Sequence, residues 1–415
     1  MRYKDTRKPL PEVARALKVD VLLEGSVVRA GERVRIAARL IHAGTDRHLW
    51  AESYERDLRD VLALQREIAR TVAQKVHITL TPQEDAGLAG ARAVDPEAHL
   101  LYVKARYYWA KRTSEGFQKA LEYFEQATAR DAGYAAAWAG TADTYYLLGA
   151  FGYDALPPRE AVPKAKAAAQ KALEIDDTLA EAHAALGQVL QNYEWEFPSA
   201  EHSLLRALEL NPGYAAAHHY YSNFLSAQGR LDEALAEAER ALELDPLSLV
   251  INILVARPHY FARRFDEAIE ASLKVLEMDP AFPLAYLQLG MARAAKGTND
   301  EAIVDLRRFS ALTSGSTLAL ALLGFAHARV GDRAEAVRRL EALRAAAERR
   351  YVPSYQFAAV HIGLGDHDQA FVWLDKAYEE RADALVTLKV EPVFDPLRGD
   401  PRFSDLLRRV GLSDG

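Results

Sequence analysis

Two periodicities divide this chain. The stretch DVLLEGSVVRAGERVRIAARL, residues 20–40, alternates apolar and polar positions, whereas almost everything after residue 95 places its apolar residues at helical spacing. Val34, Ile36, Ala38 and Leu40 share one side of an extended segment; Arg33, Arg35 and Arg39 take the other, with Ala37 between them. A period of two is that of a half-buried strand. AGE at 30–32 and HAGTD at 42–46 supply turns, and RHLWAESYERD supplies a third strand. PLPEVARALKVD predicts a short leading helix. Val61, Leu64, Ile68, Val72 and Val76 predict a second helix from about residue 60 to 78. The result is α-β-β-β-α in 80 residues, a sheet with one apolar face and edges that helices do not pair.

The rest of the chain keeps a ruler of 34 residues. Pro212, Pro246 and Pro280 close ALELNP, ALELDP and VLEMDP at that interval, and Ala200, Ala234, Ala268, Ala302, Ala336 and Ala370 carry the same phase. Gly229, Gly297, Gly331 and Gly365 stand five residues before an alanine of the series, and Arg263 occupies the remaining turn position. A 34-residue unit of two helices needs small residues where its helices touch and large ones such as Leu289, Leu306, Leu323 and Leu340 between them. Toward the start the phase slips: AFGYDALPP reads as an inserted loop and EWEF carries one extra residue. Eight helix pairs are expected between about residues 96 and 381, followed by a capping segment with a short final helix.

Such an array is expected to curve as an open superhelix, with no deep central pocket and a long concave wall built from the first helix of each pair. The alanine phase places Asp143, Tyr146, Gln188, Gln191, Asn192, His219, Asn223, Ser226, Arg257, Tyr260 and Arg329 on that wall, beside Phe261, Met291 and Phe325. Amides, aromatics and arginines suit an extended peptide. The alternative for each is packing between neighbouring helices.

Composition removes other classes. With no cysteine there is no disulfide framework, thiol catalysis or Cys-ligated zinc, in keeping with a reducing, cytoplasmic setting. Residues 1–80 carry a formal charge of +5 and the remainder −12, which demands neither nucleic acid nor membrane. The arginine row at 29, 33, 35 and 39 could grip phosphates, but it reads equally as the solvated side of a strand, with no interleaved aromatic to stack a base. No phosphate-binding loop or hydrolase motif occurs. His218 and His219, adjacent on a helix, point about 100° apart and cannot chelate one ion; His183 and His218 hold equivalent positions in successive units. No catalytic, cofactor or metal site is therefore expected.

Residues 96–381 resemble tetratricopeptide repeat proteins, with GRLDEALAEAERALELDP close to their consensus. LPEVARALKVDVLLEGSVVRAGERVRIAARLIHAGTDRHLWAESYERDLRDVLALQREIARTVA resembles the later part of a TolB/FlgO-type N-terminal domain. That second resemblance implies an incomplete α/β domain, since a βα segment precedes the corresponding part in the family. It also implies a setting in bacterial signalling proteins, where the pair follows a cyclase, a Ser/Thr kinase or a winged-helix domain. None of those modules is present, so their activities are not carried over. The expected fold is mostly α, an α-solenoid with a small incomplete α/β domain. Its divisions are 1–80, a linker at 81–95, the array at 96–381 and a capping segment at 382–415. The expected function is a non-enzymatic scaffold binding a peptide or protein, without nucleic acid or membrane. The alternative is a regulatory or sensory fragment whose α/β part binds a small ligand. The open sheet edge is expected to pair with a second copy as a homodimer or to dock on the first repeat.

Overall fold

The computed structural model describes residues 9–17, 19–31, 33–45, 47–57, 61–76, 94–150, 153 and 155–412. Of the expected linker, only residues 94 and 95 are among them. The chain forms two compact units. One comprises residues up to 104 together with 125–134; the other comprises 105–124 and the residues from 135 onward.

In the first unit, helix α1 (Leu10–Leu17) precedes strands β1 (Val21–Ala30), β2 (Arg33–His42) and β3 (Arg47–Asp57), and helix α2 (Val61–Lys75) follows. The sheet is antiparallel in the order β1-β2-β3. Gly31 turns the first hairpin at φ +63°, where a side chain would be strained. A bulge falls between Leu40 and Ile41, which face Trp50 and His48, leaving Leu49 of β3 as the extra residue. The alternation at 34–40 is realised: Val34, Ala38 and Leu40 are buried, and the last two join Trp50, Tyr54 and Leu64 in one cluster. Ile68, Val72 and Val76 pack on it. This cover is partial. Leu23 and Val27 stand opposite Leu40 and Ile36 in the register, yet they are 54% and 67% exposed. On the polar side Arg33 meets Glu55 (3.3 Å), Arg39 meets Glu24 (3.5 Å) and Arg35 Nε donates to Ser53 Oγ (3.3 Å). Cross-strand partners of this kind steady a strand pair modestly. The Arg29 side chain lies outside the described residues.

The helices that follow fall into eight successive pairs. They are α3 (Pro96–Trp109) with α4 (Ser114–Arg130), α5 (Ala135–Gly149) with α6 (Pro158–Ile175), and α7 (Ala180–Val189) with α8 (Phe197–Leu210). Next come α9 (Ala215–Gln228) with α10 (Leu231–Leu244), then α11 and α12 (Leu249–Leu254, Ala256–Phe261) with α13 (Phe265–Met278). The last are α14 (Pro283–Lys296) with α15 (Asn299–Leu312), α16 (Thr317–Arg329) with α17 (Arg333–Ala347), and α18 (Ser354–Gly363) with α19 (His367–Glu380). A final helix, α20, spans Pro401–Val410.

Close packing explains the ruler. Ala200, Ala234, Ala268, Ala302, Ala336 and Ala370 are each 0% exposed. A Cβ on Gly187 would sit 2.7 Å from Leu204, and one on Gly290 2.6 Å from Leu306. Gly229, Gly297, Gly331 and Gly365 all have φ between +73° and +95°, as tight helix–helix turns require. Arg263 takes the same turn at φ +63°, without a glycine's freedom. Two local departures matter below. The extra residue near EWEF is absorbed as a π-helical turn over Leu190–Glu194. Pro258 has no N–H to offer the Leu254 carbonyl, and the helix divides there into α11 and α12.

Candidate functional site

The 34-residue spacing predicts an open wall without a deep pocket. The structure differs. Within the second unit the first helices surround a cavity of about 260 Å³. The cause is the chain's own C-terminal segment. Residues 383–397 form two 3₁₀ turns, Asp383–Thr387 and Pro392–Leu397, and both contribute to the lining. Tyr260 donates to the Glu391 carboxylate, and Arg263 reaches the Val390 carbonyl (2.8 Å) and Asp395 (2.7 Å). Repeat phase shows what this segment is. Arg402 pairs with Asp368 at 2.9 Å and Arg409 with Asp375 at 2.7 Å, each 34 residues apart. Helix α20 therefore occupies the second-helix place of a ninth unit, and residues 383–397 stand in for its first helix. Pro392 and Pro396 withhold two backbone donors, which favours 3₁₀ turns over a full helix.

The wall is held from its far side too. Arg381 stacks over Trp195 at 4.2 Å, and Trp195 lies 5.2 Å from the Tyr378 ring. Arg159 also donates to the Glu379 carbonyl. These contacts join the last pair to the second and third.

Eight of the eleven wall residues expected from the sequence line the cavity: Tyr146, Gln188, Gln191, Asn192, His219, Asn223, Arg257 and Tyr260. The π turn carries Gln191 and Asn192. Asn192 is held by Gln188 (2.9 Å to its carbonyl), while the buried Oε1 of Gln191 has no hydrogen-bond partner among the described residues. The other three lie elsewhere. Asp143 is buried beneath the lining and accepts from Tyr220 at 2.8 Å. Ser226 is 1% exposed, and its hydroxyl finds no partner among the described residues. Arg329 is exposed, away from the lining. Phe261 and Met291 line the cavity, whereas Phe325 belongs to the core. Arg112, Asp383 and Glu391 line it as well and were not expected from the spacing.

Burial dominates the electrostatics of the recess. Arg257 and His219 keep a moderate exposed area, yet burial dominates both pKa shifts, so that area opens into the cavity. His219 falls to about 3, through burial and then the charges of Arg112 and Arg257, and is neutral at pH 7. Burial pushes Glu391 and Asp143 upward, against the lowering effects of Tyr260 on Glu391 and of Arg112 and Tyr220 on Asp143. Arg257 donates to Asn223 Oδ1 at 3.4 Å, a long bond for a group with five N–H donors. Arg112 lies 3.7 Å above the Trp109 ring and holds φ +53°.

His183 and His218 have structural partners. His183 Nε2 meets the Asp177 carbonyl (2.9 Å) and His218 Nε2 the Pro212 carbonyl (3.0 Å). Asn252 and Tyr286 make the same bond to the carbonyls of Pro246 (2.9 Å) and Pro280 (3.0 Å). In each case a polar side chain on a first helix ties down the carbonyl six residues earlier. These equivalent histidines thus anchor inter-repeat turns. Among the described residues no group of three His, Asp or Glu is placed to hold a metal ion, and no helix is long and apolar enough to cross a membrane.

The tetratricopeptide repeat pattern matches residues 203–236. A putative adenylate cyclase 3 from Rhizobium meliloti (strain 1021) is 37% identical over 137 residues, covering 33% of this chain and 23% of that protein. The chain thus spans under a quarter of that curated relative. Human IFIT1, solved as a dimer with PPP-AAAA, superposes with a TM-score of 0.51 at 16% identity, over 84% of this chain and 77% of its own. A thermophilic TPR protein of Thermus thermophilus is 20% identical over 47% of this chain and 98% of its own, with a TM-score of 0.40. The fold likeness rests on the first of these structures. Together with the 34-residue packing, it makes the array a tetratricopeptide-type α-solenoid, preceded by a small three-stranded sheet.

Proposed function

We propose that the protein is a non-enzymatic scaffold whose wall of first helices recognises a peptide or protein segment. The observation that carries this reading is that the wall already holds a polypeptide: Arg263 takes the Val390 carbonyl and Tyr260 the Glu391 carboxylate of residues 383–397. Side chains that bind main-chain carbonyls accept many sequences, and flanking pockets then select among them. Partner capture by the tagged full chain tests it. Replacing Asn192, Asn223 and Arg257 together with alanine should abolish capture while helicity is unchanged. Replacing the exposed second-helix residues Leu273 and Val304 with serine should leave capture intact. The opposite pattern would assign recognition to the other surface.

A second reading, a regulatory piece of a signalling protein, draws support from the partial likeness to a putative adenylate cyclase. In it, residues 1–80 are the later part of a TolB/FlgO-type domain that binds a small ligand. The exposed Leu23 and Val27 on edge strand β1 support self-association through that domain. A cytoplasmic location is part of the proposal, in keeping with the absence of cysteine.

A further inference from the structure

We propose that the cavity walled by residues 383–397 is a binding site for a small organic monoanion, a carboxylate carried on an apolar body. The inference goes beyond the scaffold reading, because a chain that captured no peptide would still have this cavity.

Size comes first. About 260 Å³ exceeds the ~150 Å³ that holds a benzene ring in an engineered cavity, enough for a small organic molecule. The lining then divides by element. Leu287 and Met291 of α14 and Leu322 of α16 present apolar surface. The polar groups come mainly from earlier in the chain: Arg112 before α4, Gln191 in the π turn, His219 on α9 and Arg257 on α12. A ligand with one apolar and one polar part suits such a lining.

Charge selects the sign. Two guanidiniums face the cavity, and the carboxylates that line it are Asp383 and Glu391. Glu391 is already engaged by Tyr260 and by the Val393 N–H (3.3 Å). His219, neutral at pH 7, adds no positive charge. Arg257 has a single long hydrogen bond there, to Asn223, and a carboxylate can engage such a guanidinium at two points. A cation would meet two arginines, and a polyphosphate would bring more negative charge than the site offsets. The unpartnered Oε1 of Gln191 adds an acceptor for a hydroxyl or N–H beside the carboxylate.

The test is calorimetric titration of the full chain with hexanoate, phenylacetate and indole-3-acetate, each alongside its primary amide, and with ATP as a polyanion. At least one acid should bind saturably, its amide about tenfold or more weakly, and ATP not at all. Arg257→Leu should cost about tenfold or more in the acid's affinity, with Arg257→Lys recovering part of it. Should Arg257→Leu fail to fold, Arg112→Gly removes the other guanidinium at a backbone position that glycine adopts freely, and it should also weaken the acid. Peptide capture by the Arg112→Gly protein reads the scaffold proposal separately. Binding by none of the acids, equal binding of an amide, tighter binding of ATP, or unchanged affinity in both arginine variants would overturn the assignment.

Discussion

The three-stranded sheet and the repeat array handle apolar surface in opposite ways. In the sheet, α2 covers the parts of one face supplied by β2 and β3, and leaves Leu23 and Val27 of β1 in water. The array instead carries its own closure, with the first-helix place of a ninth unit filled by residues 383–397 and the second-helix place by α20. Residues 383–397 also wall the concave side, turning a groove into a cavity.

The largest difference should appear on truncating buried against exposed apolar side chains. Phe403 of α20 is 1% exposed in the main cluster, and Phe403→Ala should cost about 3–5 kcal/mol in urea unfolding. Val27→Thr should stay within about 0.5 kcal/mol, and should weaken any self-association seen in light scattering if β1 is a pairing edge. A large loss at Val27 would mean that β1 is covered in solution.

Arg263 sharpens the comparison next, since it holds the inward segment from a turn where four other units use glycine. Arg263→Ala should cost about 2 kcal/mol and expose residues 383–397 to limited proteolysis. Arg263→Gly loses the same bonds but relaxes the backbone, and should be more stable than the alanine variant by about 1 kcal/mol. Equal protease resistance in all three proteins would show that other contacts hold the segment.

A smaller effect separates two neighbouring histidines by pH. Burial lowers the pKa of His218, but the Glu237 carboxylate at 2.5 Å and the Pro212 carbonyl outweigh it and raise the value, with Arg240 opposing. The stability it contributes is complete below 6.5 and disappears as pH rises through the raised value. His219 runs the other way. Its folded value of about 3 means that the unfolded chain takes up the proton first, so stability is lost as pH falls from 6.5 toward 3. His218→Gln should flatten the stability profile by about 1 kcal/mol on the alkaline side, and His219→Gln should do so on the acid side. Identical profiles for both variants would contradict these environments.

What was legible in the sequence follows from the range of the interactions. The alanine and glycine series could be read because each residue answers to a neighbour in its own or the adjoining unit, as Gly290 answers to Leu306. The strand alternation at 34–40 was legible for the same reason. The extra residue near EWEF was visible as a count, whereas its π geometry, which places Gln191 and Asn192, depends on packing. The cavity escaped because its wall is made at long range: Arg263 and Asp395 lie 132 residues apart. Two signals pointed there. Arg263 interrupts a glycine series, and Pro392 and Pro396 fall where the 34-residue phase calls for a first helix.

Hydrogen exchange at Val390, Glu391 and Phe394 in the full chain tests the central claim most directly, namely that the wall is closed by the protein's own C-terminal segment. Their amides donate to the carbonyls of Thr387 (2.9 and 2.8 Å) and Glu391 (3.2 Å), within turns packed against the first helices. The account predicts protection comparable to the buried helices α9 and α16, reduced selectively by Arg263→Ala. Exchange at free-chain rates in these residues, while α9 and α16 remain protected, would mean that the segment is not seated and that the cavity is an open groove.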